Sequence, residues 1–152
     1  MTSATNPKTI ELYGFGCQHE AKAAGVITPG MLVERAADGE VQAHSTEGGN
    51  ANPHFANEYG LTGGTISDNY AADDQVIFTT YNPGSGVYAL LANGENASEN
   101  ALLTSKGDGS LAVAAAGDIA IAQAREALNN ATGSAARIKV EVLTPQTVPA
   151  AS

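Results

Sequence analysis

Three histidines, His19, His44 and His54, and one cysteine, Cys17, are the side chains best equipped for nucleophilic, acid–base or metal chemistry in this chain. Their spacing does not organise them. No two histidines stand four residues apart and no HExxH occurs, so the helical zinc pattern is absent. One cysteine can form neither an internal disulfide nor a Cys-based metal site within one chain. Cys17 and His19 stand two apart, which by itself makes no dyad. Asp73-Asp74 lacks the spaced oxygen ligands of an EF-hand loop and reads as a solvated turn. Gly14-Phe15-Gly16 and Gly84-Ser85-Gly86 fall short of GxGxxG, and neither a P-loop nor a GxSxG elbow is present. The reading is therefore of a protein that is not an enzyme and holds no metal and no cofactor, with its histidines in exposed loops. Convergence of the three histidines with acids in one pocket would reopen the catalytic alternative.

The elements that carry these residues read as strands. In Arg137–Val142, Ile138, Val140 and Val142 share one parity, and Arg137, Lys139 and Glu141 the other. Successive strand side chains point to opposite faces, so this is a half-buried strand. Residues 118–128 alternate in the same way, and with 137–142 they form an expected antiparallel hairpin across the Asn-, Gly- and Ser-rich stretch 129–134. A helix over 120–130 suits the alanine content. The apolar spacing opposes it, because Ile119 and Ile121 would lie on different faces, so a strand is expected. Asp38-Gly39, Asn82-Pro83-Gly84 and Gly107-Asp108-Gly109 each mark a turn between short apolar runs, predicting hairpins 31–34/40–44, 75–81/87–92 and 102–105/110–113. Short strands with turns about every ten residues imply an all-β domain, a small barrel or sandwich of antiparallel strands. Residues 1–16 are expected to be a flexible arm, 17–144 the single β-rich domain, and the Pro- and Ala-rich residues 145–152 a disordered tail. The irregular stretch 45–64 is expected to bind a neighbour.

Composition narrows the function. Of 152 residues, 15% are charged and 5% aromatic, and Trp is absent, so the core must come from Val, Ile, Leu and Ala. The net charge of −9 and the scattered Lys and Arg argue against nucleic-acid binding. No signal peptide is read at the N-terminus and no apolar run is long enough to span a bilayer, so neither a membrane nor a secretory route is expected. Without a secretory route, the acceptor-like triplets Asn96-Ala97-Ser98 and Asn130-Ala131-Thr132 are read as chance.

The order of the pieces resembles the small head decoration, or cement, proteins of tailed bacteriophages. The resemblance runs over residues 20–143. It rests on ITPGMLVE (27–34) with DGEV (38–41), on His44 followed by a Gly-rich loop and NPHFA (52–56), and on Tyr70 leading to DQV (74–76) and GVYALLA (86–92). LLTS (102–105), DGSL (108–111), IAQAREA (121–127) and ARIKV (136–140) complete it. It implies a structural virion protein, made in the host cytoplasm, that sits on the outer surface of the capsid head. There it would clamp neighbouring major capsid protein subunits, as a homotrimer or a dimer. Ile10, Leu12, Tyr13 and Phe15 would be the arm's contact residues, and His54, Phe55 and Tyr59 would join the capsid or subunit interface. The expectation attached to the arm is that removing residues 1–16 leaves a folded chain unable to bind capsids. The alternative is a receptor- or glycan-binding β domain using Tyr59, Tyr70 and Tyr81.

Overall fold

The computed structural model describes residues 6–150, which fold almost entirely as strands and turns. In chain order these are β1 (Glu11–Tyr13), β2 (Gly16–Lys22), β3 (Val33–Arg35), β4 (Val41–Ala43), β5 (His54–Ala56), β6 (Gln75–Tyr81), β7 (Gly86–Leu91), β8 (Asn96–Ala97), β9 (Leu102–Ser105), β10 (Leu111–Val113), β11 (Ile119–Ala124), β12 (Leu128–Asn129) and β13 (Ala136–Thr147). The only helical turns among them are two short 3-10 turns, at Ala37–Gly39 and Gly60–Thr62. The expected all-β class is the observed one.

Five strands close on themselves in the order β7, β10, β9, β11, β13 and back to β7. All pairings are antiparallel except β10 with β7, which is parallel at Leu111 and Leu91. Closure leaves few open edges. Val87, Leu91, Leu103, Leu111, Ile121, Ile138, Val140 and Val142 fill the interior. The alternation of β13 is the reason its apolar parity faces inward while Arg137, Lys139 and Glu141 stay half-exposed. A second sheet, β2-β6-β5, packs Phe78, Val76, Ala21 and Ala56 with Val33 and Val41 of the β3–β4 hairpin.

The hairpins β3–β4, β9–β10 and β11–β13 pair as the turns predict. The hairpin expected between 75–81 and 87–92 does not form. β6 pairs with β2 and β5, whereas β7 pairs with β1, β10 and β13. The turn between them moves the chain from one sheet to the other. It is fastened by β13, since Gly84 N–H donates to Val142 O (2.8 Å) and Val142 N–H donates to Ser85 O (2.8 Å).

Both ends of the domain also differ from expectation. Residues 10–16 are part of the domain, not a flexible arm. Ile10 is fully buried in the barrel core, β1 pairs with β7, and β2 begins at Gly16. The bonds that hold Ile10 are its C=O, accepting from Tyr88 N–H (2.7 Å), and its N–H, donating to Glu58 Oε1 (3.2 Å). At the other end, β13 runs to Thr147 and pairs there with Ile119, so residues 145–147 are a strand rather than a disordered tail. Pro145 is accommodated because the register shifts there: Ala120 faces Gln146 and Ala122 faces Val142. A bulge is where a strand tolerates a residue with no N–H. The outermost parts of the expected arm and tail, 1–5 and 151–152, lie outside the described residues.

Asn130 fixes the turn that leads into β13. Its amide is buried, donating to Leu91 O (2.9 Å), Ala92 O (3.2 Å) and Ser134 O (2.9 Å) and accepting from Thr132 N–H and Oγ1–H. That leaves the amide nitrogen inaccessible to a sugar. Asn130→Ala strands several buried polar groups, each a loss of about 1–3 kcal/mol. The expected outcome is destabilisation by about 3 kcal/mol, read as a fall in the urea midpoint. An unchanged midpoint would show that water replaces the amide.

Candidate functional site

Cross-strand register brings two of the histidines together. His54 lies opposite Thr80, and Thr80 Oγ1 is 2.7 Å from His54 Nδ1 and 3.1 Å from His19 Nε2. The three are one hydrogen-bonded chain in which the single hydroxyl proton serves one imidazole and the other imidazole donates. Phe78 lies against both rings, with centroids 5.3 Å from His19 and 5.5 Å from His54. The Arg35 guanidinium stands over the Phe78 ring at 5.3 Å. Burial, and then the positive charge of Arg35 and the neighbouring His19, hold His54 down at about 4.

His54 is neutral at neutral pH, and its charging opposes the fold. The unfolded imidazole binds its proton near 6.5, so the contribution is complete above that pH and is lost as the pH falls from 6.5 through about 4. A shift of this size corresponds to roughly 3 kcal/mol at most. Chemical denaturation should show stability falling across that window, with a shallower fall in His54→Gln. An equal fall in the variant would place the acid sensitivity elsewhere.

His44 and His54 both line one cleft of about 260 Å³, with Glu34, Arg35, Asn50 and Asn52. A Ser–His–acid sequence runs through its wall, with His44 and Glu34 lining the cleft and the serine behind them. Ser105 Oγ is 2.7 Å from His44 Nδ1, and Glu34 Oε1 is 3.6 Å from His44 Nε2. Asn50 O accepts at Nε2 (3.1 Å), which assigns the proton to Nε2 and makes Nδ1 the acceptor of the Ser105 hydroxyl. Geometry alone would give a nucleophile and its base. Ser105 is 0% exposed, however, and its oxygen also accepts from Gly107 N–H (3.1 Å). No substrate carbonyl reaches it, so the bond ties β9 to the end of the β3–β4 hairpin. Burial raises the Glu34 carboxyl, but hydrogen bonds from Ser45 and Gln42 and the nearby His44 imidazole outweigh it and hold the group below the ordinary carboxylate range. No group of three or more His, Cys, Asp or Glu side chains among the described residues is arranged to hold a metal ion.

The histidines are thus half-buried or buried, not in exposed loops. Burial also corrects three expected interface residues: Ile10, enclosed in the barrel core rather than offered as a contact, and two residues of β5. His54 (8% exposed) and Phe55 (0%) lie in β5, paired with β6 and packed inward. Of the three tyrosines named for sugar binding, Tyr81 packs on Phe55 and accepts from Asn57 Nδ2 (2.7 Å). Tyr70 is buried and donates to Asn57 O (2.6 Å). Burial pushes both phenols up to about 12. Tyr59 alone is partly open, edge-on to Tyr70 at 6.3 Å.

The first strand and the turn after it behave differently. Leu12 is half-buried, while Tyr13 (50% exposed) and Phe15 (68%) face solvent. The chain is closely backed at both positions. Tyr13 lies across Gly86, where an added Cβ would meet its ring at 2.3 Å. Gly14 takes φ +92°, with Ser85 directly behind it. The Phe15 backbone is clamped by that serine, which is 2% exposed: Phe15 N–H donates to Ser85 Oγ (3.2 Å) and Ser85 Oγ donates to Phe15 O (3.1 Å). Phe15 O also accepts from Asn82 N–H (3.0 Å). A shallow groove lined by Glu11, Gln18, Leu61 and Thr79 begins two residues along β1 from Tyr13. Leu61 (76% exposed) is the open apolar residue at the end of the 45–64 stretch. The exposed seven-residue β2, which among the described residues pairs only with β6, runs on from Phe15. The sequence gives both aromatics, but their contrast with buried Ile10 needs the register of β1 on β7.

No protein-family profile matches the chain, and no curated protein matches it.

Proposed function

We propose that this chain is a structural protein of a bacteriophage head, which docks on the outer surface of the capsid and cements neighbouring major capsid protein subunits. The observation that carries the reading is Phe15. Its backbone is fixed at three hydrogen bonds while the residue stands 68% exposed. A backbone already fixed in the free chain leaves only the side chain to be ordered on binding, which suits an interface anchor. Tyr13 beside it and the open edge of β2 extend the same surface, and a free edge can accept a partner strand. The surface is acidic overall, with 16 Asp and Glu against 7 Lys and Arg, which keeps such a protein dispersed before it reaches a lattice. On a lattice many modest contacts act together, and a homotrimer would multiply them. The reading agrees with the resemblance of residues 20–143 to decoration proteins.

The test is to add the purified chain to undecorated heads of the phage that encodes it and to heat them. The expected result is saturable attachment and a higher temperature of head rupture. Heads that rupture at the same temperature with and without a saturating amount of the chain would refute the cementing role.

A further inference from the structure

The free edge of β2 and the shallow groove beside it form one continuous surface with one sign of charge. We propose that an extended segment of the major capsid protein pairs with that edge and places a lysine or arginine side chain in the groove, between Glu11 and Glu58. The inference rests on the proposed docking role and names the chemistry of what docks.

The backbone shows which groups are open. Phe15 O accepts from Asn82 N–H (3.0 Å), Ala23 N–H donates to Asp74 O (2.8 Å), and Ala23 O accepts from Asp73 N–H (2.8 Å). The register of β2 on β6 runs between these points without a shift. In an antiparallel ladder alternate residues turn both backbone groups to the same neighbour, so the odd-numbered residues of β2 face β6. Gly16, Gln18, Glu20 and Lys22 turn theirs the other way, and all four are exposed. Ala24 confirms the sense, since its N–H donates away from β6, to Val41 O of β4 (2.9 Å). The edge is therefore covered at residue 24, whereas among the described residues no strand pairs with 16–22 on that side. A row of unpaired N–H and C=O groups is a template for a further strand.

The same residues share a face with the groove. Gln18 lies opposite Thr79 and Glu20 opposite Ile77, and Gln18, Thr79 and Ile77 line the groove. Opposed residues share a face, so a segment added beside β2 sends every second side chain to this one. What it meets there is acidic. Glu11 and Glu58 stand in the groove wall, and no Lys or Arg lines it. Among the described residues neither carboxylate has an ion-pair partner. Glu58 is held in place by Ile10 N–H, which donates to its Oε1 (3.2 Å). The floor satisfies itself, because Asn57 donates to Tyr81 Oη and accepts from Thr79 Oγ1. The Tyr81 phenol beneath, raised first by burial, is raised further by the charges of Glu11 and Glu58. Complementary charge sets register and rejects the wrong partner, so a basic side chain is admitted here and an acidic one repelled. Leu61, 76% exposed, supplies apolar surface for the methylene stem of that side chain. The groove, about 310 Å³, has room for one.

Undecorated heads and the full chain test this in two ways. Co-sedimentation compares wild type with Glu11→Lys, Glu11→Gln and Glu99→Lys. Glu99→Lys makes the same change in net charge as Glu11→Lys, at an exposed turn outside the docking surface. Glu11→Lys should attach at least about tenfold more weakly than Glu99→Lys, with a smaller loss in Glu11→Gln. Glu11→Gln keeps the shape of the side chain and decides the point if the reversal disturbs β1. Hydrogen exchange then compares the free and attached chain over 16–22, where new backbone bonds should slow it. Attachment of Glu11→Lys as tight as that of Glu99→Lys, or unchanged exchange over 16–22, would overturn the inference and leave cementing standing. A wild-type chain that does not attach would refute the docking role and this inference with it.

Discussion

Phe15→Ala will weaken attachment to phage heads by about 30-fold or more while leaving the isolated protein as stable as before. A central aromatic anchor contributes on the order of 2 kcal/mol or more at an interface, which is about a 30-fold change in affinity. The same ring in the free chain is mostly in water, so its removal should move stability by no more than about 0.5 kcal/mol. The backbone clamp from Ser85 and Asn82 survives the substitution because it involves no atom of the ring. Tyr13→Ala is a less clean probe. That ring covers Gly86, so its loss exposes β7 as well as the docking surface. Co-sedimentation with undecorated heads and urea unfolding of the free chain measure the two quantities. Wild-type attachment by the Phe15 variant would remove the anchor from the account.

Removing residues 1–16 will abolish the native fold, whereas removing residues 1–5 will leave the domain folded. This reverses the expectation for a detachable arm. The deletion takes away Ile10, wholly enclosed by the core, together with the β1 ladder on β7. Truncating a buried Ile to Ala alone typically costs about 2–5 kcal/mol, and the lost strand adds to it. Small domains have only about 5–15 kcal/mol in hand, so the longer truncation should give no cooperative unfolding transition. Ile10→Ala should fold but unfold at lower urea. A truncated chain with the full-length midpoint would mean that β1 contributes nothing to the barrel. The contrast also matters for interpretation, because failed binding by an unfolded truncation says nothing of docking.

Much of the fold was readable locally. Ile138, Val140 and Val142 alternate with charged residues because β13 has one buried face, and a one-residue slip would expose all three. Turns at Asp38-Gly39 and Gly107-Asp108-Gly109 closed the hairpins they signalled because the strands they join lie side by side. Asn82-Pro83-Gly84 carries the same chemistry, but its flanking strands pair elsewhere. Turn residues report a reversal of the chain, whereas which strands pair is decided by distant partners such as Val142. The tail was misread for a related reason. Pro145 ends most strands but not one with a bulge at that point.

The candidate sites were less legible. The resemblance implies contact roles for Tyr13 and Phe15 and for Ile10 alike, and only the pairing of β1 with β7 separates exposed from buried. His54 and Phe55 looked like loop residues beside Asn52-Pro53, and their burial follows from pairing with β6, more than 20 residues away. The His19–Thr80–His54 chain and the meeting of Arg35 with His54 depend on the same register. No spacing in the sequence encodes them. Ser105 and His44, 61 residues apart, would have been a tempting catalytic pair had they been seen without their burial.

The central claim is that this surface, anchored by Phe15, seats the chain on the outside of a capsid. Electron cryomicroscopy of undecorated heads, imaged before and after saturation with the protein, tests it most directly. The account predicts added density at fixed lattice positions on the outer surface, with the Tyr13–Phe15 face and the free edge of β2 turned toward the major capsid protein. Heads indistinguishable with and without the chain, or density seated through the opposite side of the barrel, would contradict it.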